Sequence, residues 1–443
     1  MRFVPRSRHA VPCIMLVAAA AAPPLHAQST APATTPIAAA KNNPNSAQAE
    51  ARGYLVLVSL DGFRWDYARS GGAWHLLSLG KNGASAPEGM LPSYPALGAP
   101  NQYTIVTGLY PGHHGLVADS FYDPVRRERF SLDEPKQADD GSWYGGIPLW
   151  SLAESQGMRA AVIGWPGSNA VVAGFRPSYS VPQSGDYGTC LKHISRWLQL
   201  PAAERPHFIA VEISQPAAEA RRFGPDSTQT KAEVSRADAF IGRLKADLNA
   251  TGLPVDLVVV SDRGMAKPDG GWITLGQFTS LAGFETAGPL LYSPEEQNRE
   301  RVYRQLNHVS SMFMVYRRKD LPPEFHAGAN PREGDPVILA TGPYAIRAHG
   351  PSADKKSYAP PQDRIVAVDG LDPQAQPEMK AIFFAAGPDI VPGKTAAPFD
   401  NVNLYPWMAH ILGLKAPKSD GSLNILAGTL RDDGAEPADQ DER

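Results

Sequence analysis

A chain of 443 residues with 43% hydrophobic side chains has room for a large core, and by length for two or three domain-sized units. Its 42 basic and 45 acidic residues give a formal net charge of −3, which excludes the basic excess of a protein that binds nucleic-acid polymers or anionic membranes. Two cysteines, Cys13 and Cys190, exclude a disulfide framework and a thiolate zinc site.

Residues 1–27 carry Arg2, Arg6 and Arg8, an apolar stretch from Cys13 to Ala22, and then Leu25-His26-Ala27. This reads as a secretory signal peptide with an Ala-x-Ala-like cleavage site. The apolar run falls short of the roughly 20 residues that span a bilayer. Cleavage removes three arginines and no acidic residue, leaving a mildly acidic chain in the periplasm or medium, with Cys190 alone and no transmembrane segment. Residues 28–50 are Ala, Pro, Thr, Ser, Gln and Asn with almost no large apolar side chain, a composition that cannot repay ordering entropy, so a disordered leader is expected.

The folded part, expected over 51–430, opens with Tyr54-Leu-Val-Leu-Val-Ser-Leu60, a continuous β-favouring run typical of a strand buried on both faces. Similar runs recur at Ala160–Ile163, Phe208–Ile213, Val255–Ser261, Val337–Ala340 and Ala381–Ala385, with candidate helices at Gly146–Gln156, Ser195–Leu200 and Lys231–Ala250. The alternation predicts an α/β fold with a mostly parallel central sheet and helices on both faces. Three strands end on polar residues, Asp61, Ser214-Gln215 and Asp262. In open α/β sheets the site lies at the carboxyl ends of strands; the alternative is that each Asp only caps the following turn. The residues 431–443 are acidic and polar and are predicted to be a disordered tail.

The segment Met90–Pro124 contains Gly98-Ala99-Pro100-Asn101-Gln102, then Thr107-Gly-Leu-Tyr-Pro111 and Asp119-Ser-Phe-Tyr-Asp-Pro124; further on come Gly164-Trp-Pro-Gly167, Phe223-Gly-Pro225, Ala385-Ala-Gly-Pro388 and Asn401-Val-Asn-Leu-Tyr-Pro406. These runs resemble the nucleotide pyrophosphatase/phosphodiesterase family of the alkaline phosphatase superfamily, over nearly all of the chain from Tyr54 to about Ala427. The resemblance implies an alkaline-phosphatase-like core with a small cap inserted before the last strands. It also implies two zinc ions about 4 Å apart that clamp the attacking and leaving oxygens of an in-line displacement.

The resemblance places one zinc site on Asp61, on the nucleophilic threonine, here Gly98, and on an Asp-His pair, here Asp262 and Arg263. The other site would use an Asp, a His and a second His; these positions read Ala217, Arg221 and Asp369. The family's Phe after the nucleophile is Ala99, and its oxygen-holding Asn is Asp119. Glycine offers no oxygen, and arginine, always protonated, is no zinc ligand. Ser93 and Thr104 flank the segment without a geometry aimed at the strand ends, and His113, His114 and His349 are free imidazoles, the first two in a Gly-flanked turn where surface histidines are ordinary.

Three functions remain open. One is a pseudoenzyme that binds a ligand or protein partner of unknown identity, with no cofactor. Another is a hydrolase using a single divalent cation on Asp61, Asp262 and Asp369, where a hard, oxygen-loving ion suits carboxylates better than zinc. The last is a scaffold whose cleft has closed. Arg221 and Arg263 at two former ligand positions are expected to turn their guanidinium groups onto the carboxylates in place of the metal charge; the alternative is that both point into solvent.

Overall fold

Residues 54–60 bury every side chain, and the alternation of a β-strand sends them to opposite faces. Leu55 and Leu57 enter one core, and Tyr54, Val56, Val58 and Leu60 the other. Fully burying each such aliphatic side chain contributes about 1.5–3 kcal/mol, so this strand anchors both layers. It is β1 of an eight-stranded sheet whose other members are β2 (Ala84–Ser85), β3 (Ala160–Ile163), β4 (Tyr179–Val181), β5 (Phe208–Ile213), β6 (Val255–Val260), β7 (Phe383–Ala386) and β8 (Lys394–Thr395), in the order β8-β2-β7-β6-β1-β5-β3-β4. The run from β6 to β4 is parallel; β7 is antiparallel to both of its neighbours.

The computed structural model describes residues 42–182, 186–350 and 365–431. The expected signal peptide, the leader through residue 41 and the tail from residue 432 lie outside the described residues. In chain order the main helices are α1 (Trp74–Lys81), α2 (Gly98–Thr107), α3 (Leu149–Ser155), α4 (Tyr187–Leu198), α5 (Gln215–Phe223), α6 (Thr228–Ala250) and α7 (Leu404–Ile411). Apolar residues of α2, α3 and α7 pack in the core that holds Leu55 and Leu57; those of α1, α4 and α6 pack in the other. The sheet is therefore covered on both faces, and it is alkaline-phosphatase-like in architecture. None of the described helices is long and apolar enough to cross a membrane.

Several sequence expectations need correction. The leader was expected to be disordered through residue 50, yet Asn45 donates to the carbonyls of Ala202 and Arg205 at 2.7 Å each. Ser46 caps a short helix, Ala47–Glu50. Side-chain amides bonded to backbone carbonyls order a segment that has few apolar groups. The helix expected at Ser195–Leu200 is the end of α4, which starts eight residues earlier because Asp186 caps it. Val337–Ala340 is not in the central sheet. It pairs antiparallel with Phe313–Tyr316 in a region inserted between β6 and β7, which has its own small core around Leu275, Leu291, Leu306 and Phe313.

Candidate functional site

The register of β1 on β6 pairs Ser59 with Val260, so just past the strand ends, one residue beyond β1 and two beyond β6, Asp61 stands beside Asp262. The Asp262 carboxylate is held by backbone N–H groups of Gly62 and Arg263, at 3.0 and 2.9 Å. Gly62 adopts φ 69°, and a Cβ there would meet the Ala217 methyl at 2.8 Å. Glycine is thus required both for the left-handed turn and for the close approach of α5.

Arg263 is fully buried. Its Nη1 donates to Asp61 and to Asp262, while Nε and Nη2 donate to Asp369 Oδ2 at 3.0 and 2.6 Å. Arg221, half-exposed on α5, adds a 3.3 Å bond to the same Asp369 oxygen and lies 3.9 Å from Asp61. Asp61, Asp262, Asp369, Arg221 and Arg263 thus form one cluster. Ser214 and Gln215 instead open α5.

Burial alone would push Asp61 and Asp369 up, but Arg263 and Arg221 outweigh it and hold both below the usual carboxylate range. Asp262 goes the other way. Burial and the neighbouring Asp61 charge drive it well above that range despite Arg263. A proton on Asp262, which this upward shift favours, would leave two carboxylates facing two guanidinium groups. This is how three like groups share a desolvated site at low cost.

Gly98 begins α2 at the edge of this cluster. A Cβ built there would meet Arg263 Nη1 at 3.0 Å and Asp262 Oδ2 at 3.2 Å, so the guanidinium takes the space that a side chain at position 98 would enter. Asn101 shapes the approach: its amide donates to the carbonyls of Ser93, Pro95 and Leu97, and its oxygen accepts from the Ser93 N–H. The nearby hydroxyls are committed elsewhere. Ser93 donates to Asn401 at 2.8 Å, and Thr104 pairs with His114 Nε2 at 3.0 Å. His114 is not the surface residue expected. Its ring is buried, and desolvation lowers it to about 3. His113 is exposed and pairs with Asp420 at 2.6 Å, and His349 lies exposed on the inserted region; neither approaches the cluster as a partner.

Beside the cluster lies a cavity of about 560 Å³, walled mostly by apolar groups that include Leu97, Met265, Trp272, Leu290, Tyr344 and Ile365, with Asp119, Arg221 and Asp369 among its polar lining. Asp119 is exposed to this space. Enclosure by the surrounding protein raises it, against the pull of Arg263 and with the push of Asp369. The cavity walls could not be read from the chain because they come from separate segments, among them 94–97, 117–120, the inserted region and residues 365–371; the apolar run Tyr94-Pro95-Ala96-Leu97 before Gly98 was the one available signal.

Fold and site together define an alkaline-phosphatase-like α/β protein with its charged centre at the carboxyl ends of parallel strands. The model of the type I phosphodiesterase/nucleotide pyrophosphatase family matches residues 55–360. An uncharacterized pyrophosphatase/phosphodiesterase of Schizosaccharomyces pombe is 31% identical over 389 residues, covering 83% of this chain and 78% of the relative. Rat ectonucleotide pyrophosphatase/phosphodiesterase family member 1 is 30% identical over 394 residues, 84% of this chain but 42% of that protein, so the chain spans less than half of that relative. The solved structure of murine ectonucleotide pyrophosphatase/phosphodiesterase 5 superposes with a TM-score of 0.77 at 25% identity, covering 85% of this chain and 100% of the other. That murine protein has also been solved as an inactive variant in complex with AMP. This chain belongs to the type I phosphodiesterase/nucleotide pyrophosphatase family.

The residues at the strand ends do not fit the zinc pair that the family resemblance implies. Two of the implied ligand positions are arginines, and one guanidinium lies among the three carboxylates at hydrogen-bond distance. Among the described residues, no group of three or more His, Cys, Asp or Glu is arranged to hold a metal ion.

Proposed function

We propose that this protein is an exported pseudoenzyme of the phosphodiesterase family, which binds a ligand or partner and holds no zinc. The observation that carries the reading is the Arg263 guanidinium, buried among Asp61, Asp262 and Asp369 and abutting Gly98. A fixed organic cation there neutralises the carboxylates, and no side chain at position 98 offers a nucleophile. The single-cation alternative on Asp61, Asp262 and Asp369 would require that guanidinium to leave and water to attack directly.

Elemental analysis of the purified mature protein, together with hydrolysis of a chromogenic phosphodiester, tests the proposal. Metal-free protein without turnover is expected; zinc at about two per chain, the family's two-metal complement, with turnover would overturn it. Export is part of the same reading and rests on residues 1–27. The mass of exported material should place the mature N-terminus at or near Gln28, and retention of residues 2–27 in a membrane fraction would contradict it.

A further inference from the structure

The cavity beside the cluster has about 560 Å³ of space, inside the range of small-molecule sites, roughly 300–1,000 Å³. Most of its charged groups are already engaged. Asp369 receives Arg263 and Arg221. Glu333 accepts the N–H groups of Gly328 and Asn330 at 2.8 and 3.1 Å. Arg347 donates to the Thr274 hydroxyl at 3.0 Å and lies 5.0 Å over the Trp272 ring. Asp119 differs: among the described residues no donor or cation pairs with its carboxylate, although it opens into the space.

The charges decide what such a carboxylate can bind. Arg221 and Arg263 make their direct ion pairs with the strand-end carboxylates and reach Asp119 only at longer range, so Asp119 is left without a direct partner. An anionic head placed there would face both Asp119 and Asp369. A cationic head would find a charge-assisted acceptor with no competing partner, and the apolar walls would bury its hydrocarbon part.

We infer that the cavity binds an apolar organic amine, with its ammonium group against the Asp119 carboxylate and its hydrocarbon body along the walls formed by Leu97, Met265, Leu290 and Ile365. The inference rests on the metal-free reading above, because two zinc ions at the strand ends would reverse the local charge.

Calorimetric titration of the full mature protein with phenylbutylamine, phenylbutanol and phenylbutanoate tests it, since the three probes share a body and differ in head charge. The amine should bind at least about tenfold more tightly than the alcohol, the size of one hydrogen bond to a charged group, and the carboxylate should bind least. Asp119→Asn should remove the amine's advantage and leave the alcohol's affinity unchanged, which also shows that the variant is folded. Equal affinities, tightest binding of the carboxylate, no binding by any probe, or an amine advantage that survives Asp119→Asn would overturn the inference. Metal analysis of the same sample separates the two proposals. Zinc with turnover removes the metal-free reading itself, whereas metal-free protein without an amine preference overturns this inference alone.

Discussion

Two arginines in this molecule, Arg263 fully buried and Arg332 partly so, do different work, and the contrast shows what the strand-end cluster is. Arg332, in the inserted region, gives Nε to one carboxylate, Asp123, at 2.8 Å, and Nη1 to the carbonyls of Gly115 and Trp143 at 2.9 Å each. Its ring neighbours are Phe121 and Trp143, each 5.3 Å from the guanidinium carbon. One cation meets one anion, and neutral acceptors take the rest, which is how an arginine staples two segments together. Arg263 spends its donors on three carboxylates and no carbonyl. That excess of negative charge draws in Arg221 and pushes the Asp262 pKa up. A space ringed by so many carboxylates suits cations, and the guanidinium is the cation this chain supplies.

The largest test of the contrast removes each arginine. Arg263→Ala leaves buried Asp61 and partly buried Asp369 facing Arg221 alone, and should cost about 3–5 kcal/mol in urea unfolding. Arg332→Ala should cost less, about 1–3 kcal/mol, because Asp123 keeps the N–H groups of Val125 and Arg126 at 2.8 and 3.1 Å. Equal losses would mean that Arg263 is an ordinary staple. Gly98→Thr comes next. It places Cβ 3.0 Å from Arg263 Nη1, and overpacking of this kind costs about 1–3 kcal/mol. The same substitution should produce no phosphodiester hydrolysis, since an attacking hydroxyl needs metal to lower its pKa; a rescued rate would mean that metal reaches the site after all.

How much of this was legible in the chain follows physical lines. The β1 run and the strand ends at Asp61 and Asp262 could be read because a doubly buried strand is a continuous apolar stretch that stops at its polar edge. Arg263 facing Asp61 and Asp262 could be expected from charge alone, since bare carboxylates in a cleft demand a partner. Its additional bonds to Asp369 could not be read from spacing, because that residue lies more than a hundred positions further on and folding alone brings it near. The burial of His114 was hidden for a related reason: His113 and His114 are neighbours in sequence, and packing against Thr104 and Tyr103 separates them. The inserted region's strands are three or four residues long and only partly buried, too short for period-two alternation to mark their sheet. The upward shift of Asp262 belongs to this second group, because it depends on depth and on the neighbouring Asp61 charge.

The smallest predicted effect concerns that shift, and it separates the two strand-end carboxylates. If Asp262 is held uncharged, Asp262→Asn replaces one neutral group with another and should cost no more than about 1 kcal/mol, one hydrogen bond to Arg263 Nη1, at acid pH where the unfolded chain's Asp262 is protonated too. Its folded pKa is raised, so its favourable contribution is complete below the unfolded value near about 4 and is lost as pH rises toward the folded value. The wild type should therefore lose stability relative to Asp262→Asn as pH rises from about 4 through neutrality. Asp61 has the opposite sign. Its folded pKa is depressed, so its contribution is present above about 4 and lost only as pH falls through the folded value. Asp61→Asn should accordingly be costly across that whole neutral range, with the cost fading only in stronger acid. Urea unfolding of the three proteins across this range reads both signs. A gap between wild type and Asp262→Asn that stays constant would mean that Asp262 is ionised in the fold, and a cluster with three ionised carboxylates would then carry one uncompensated negative charge beside Arg263.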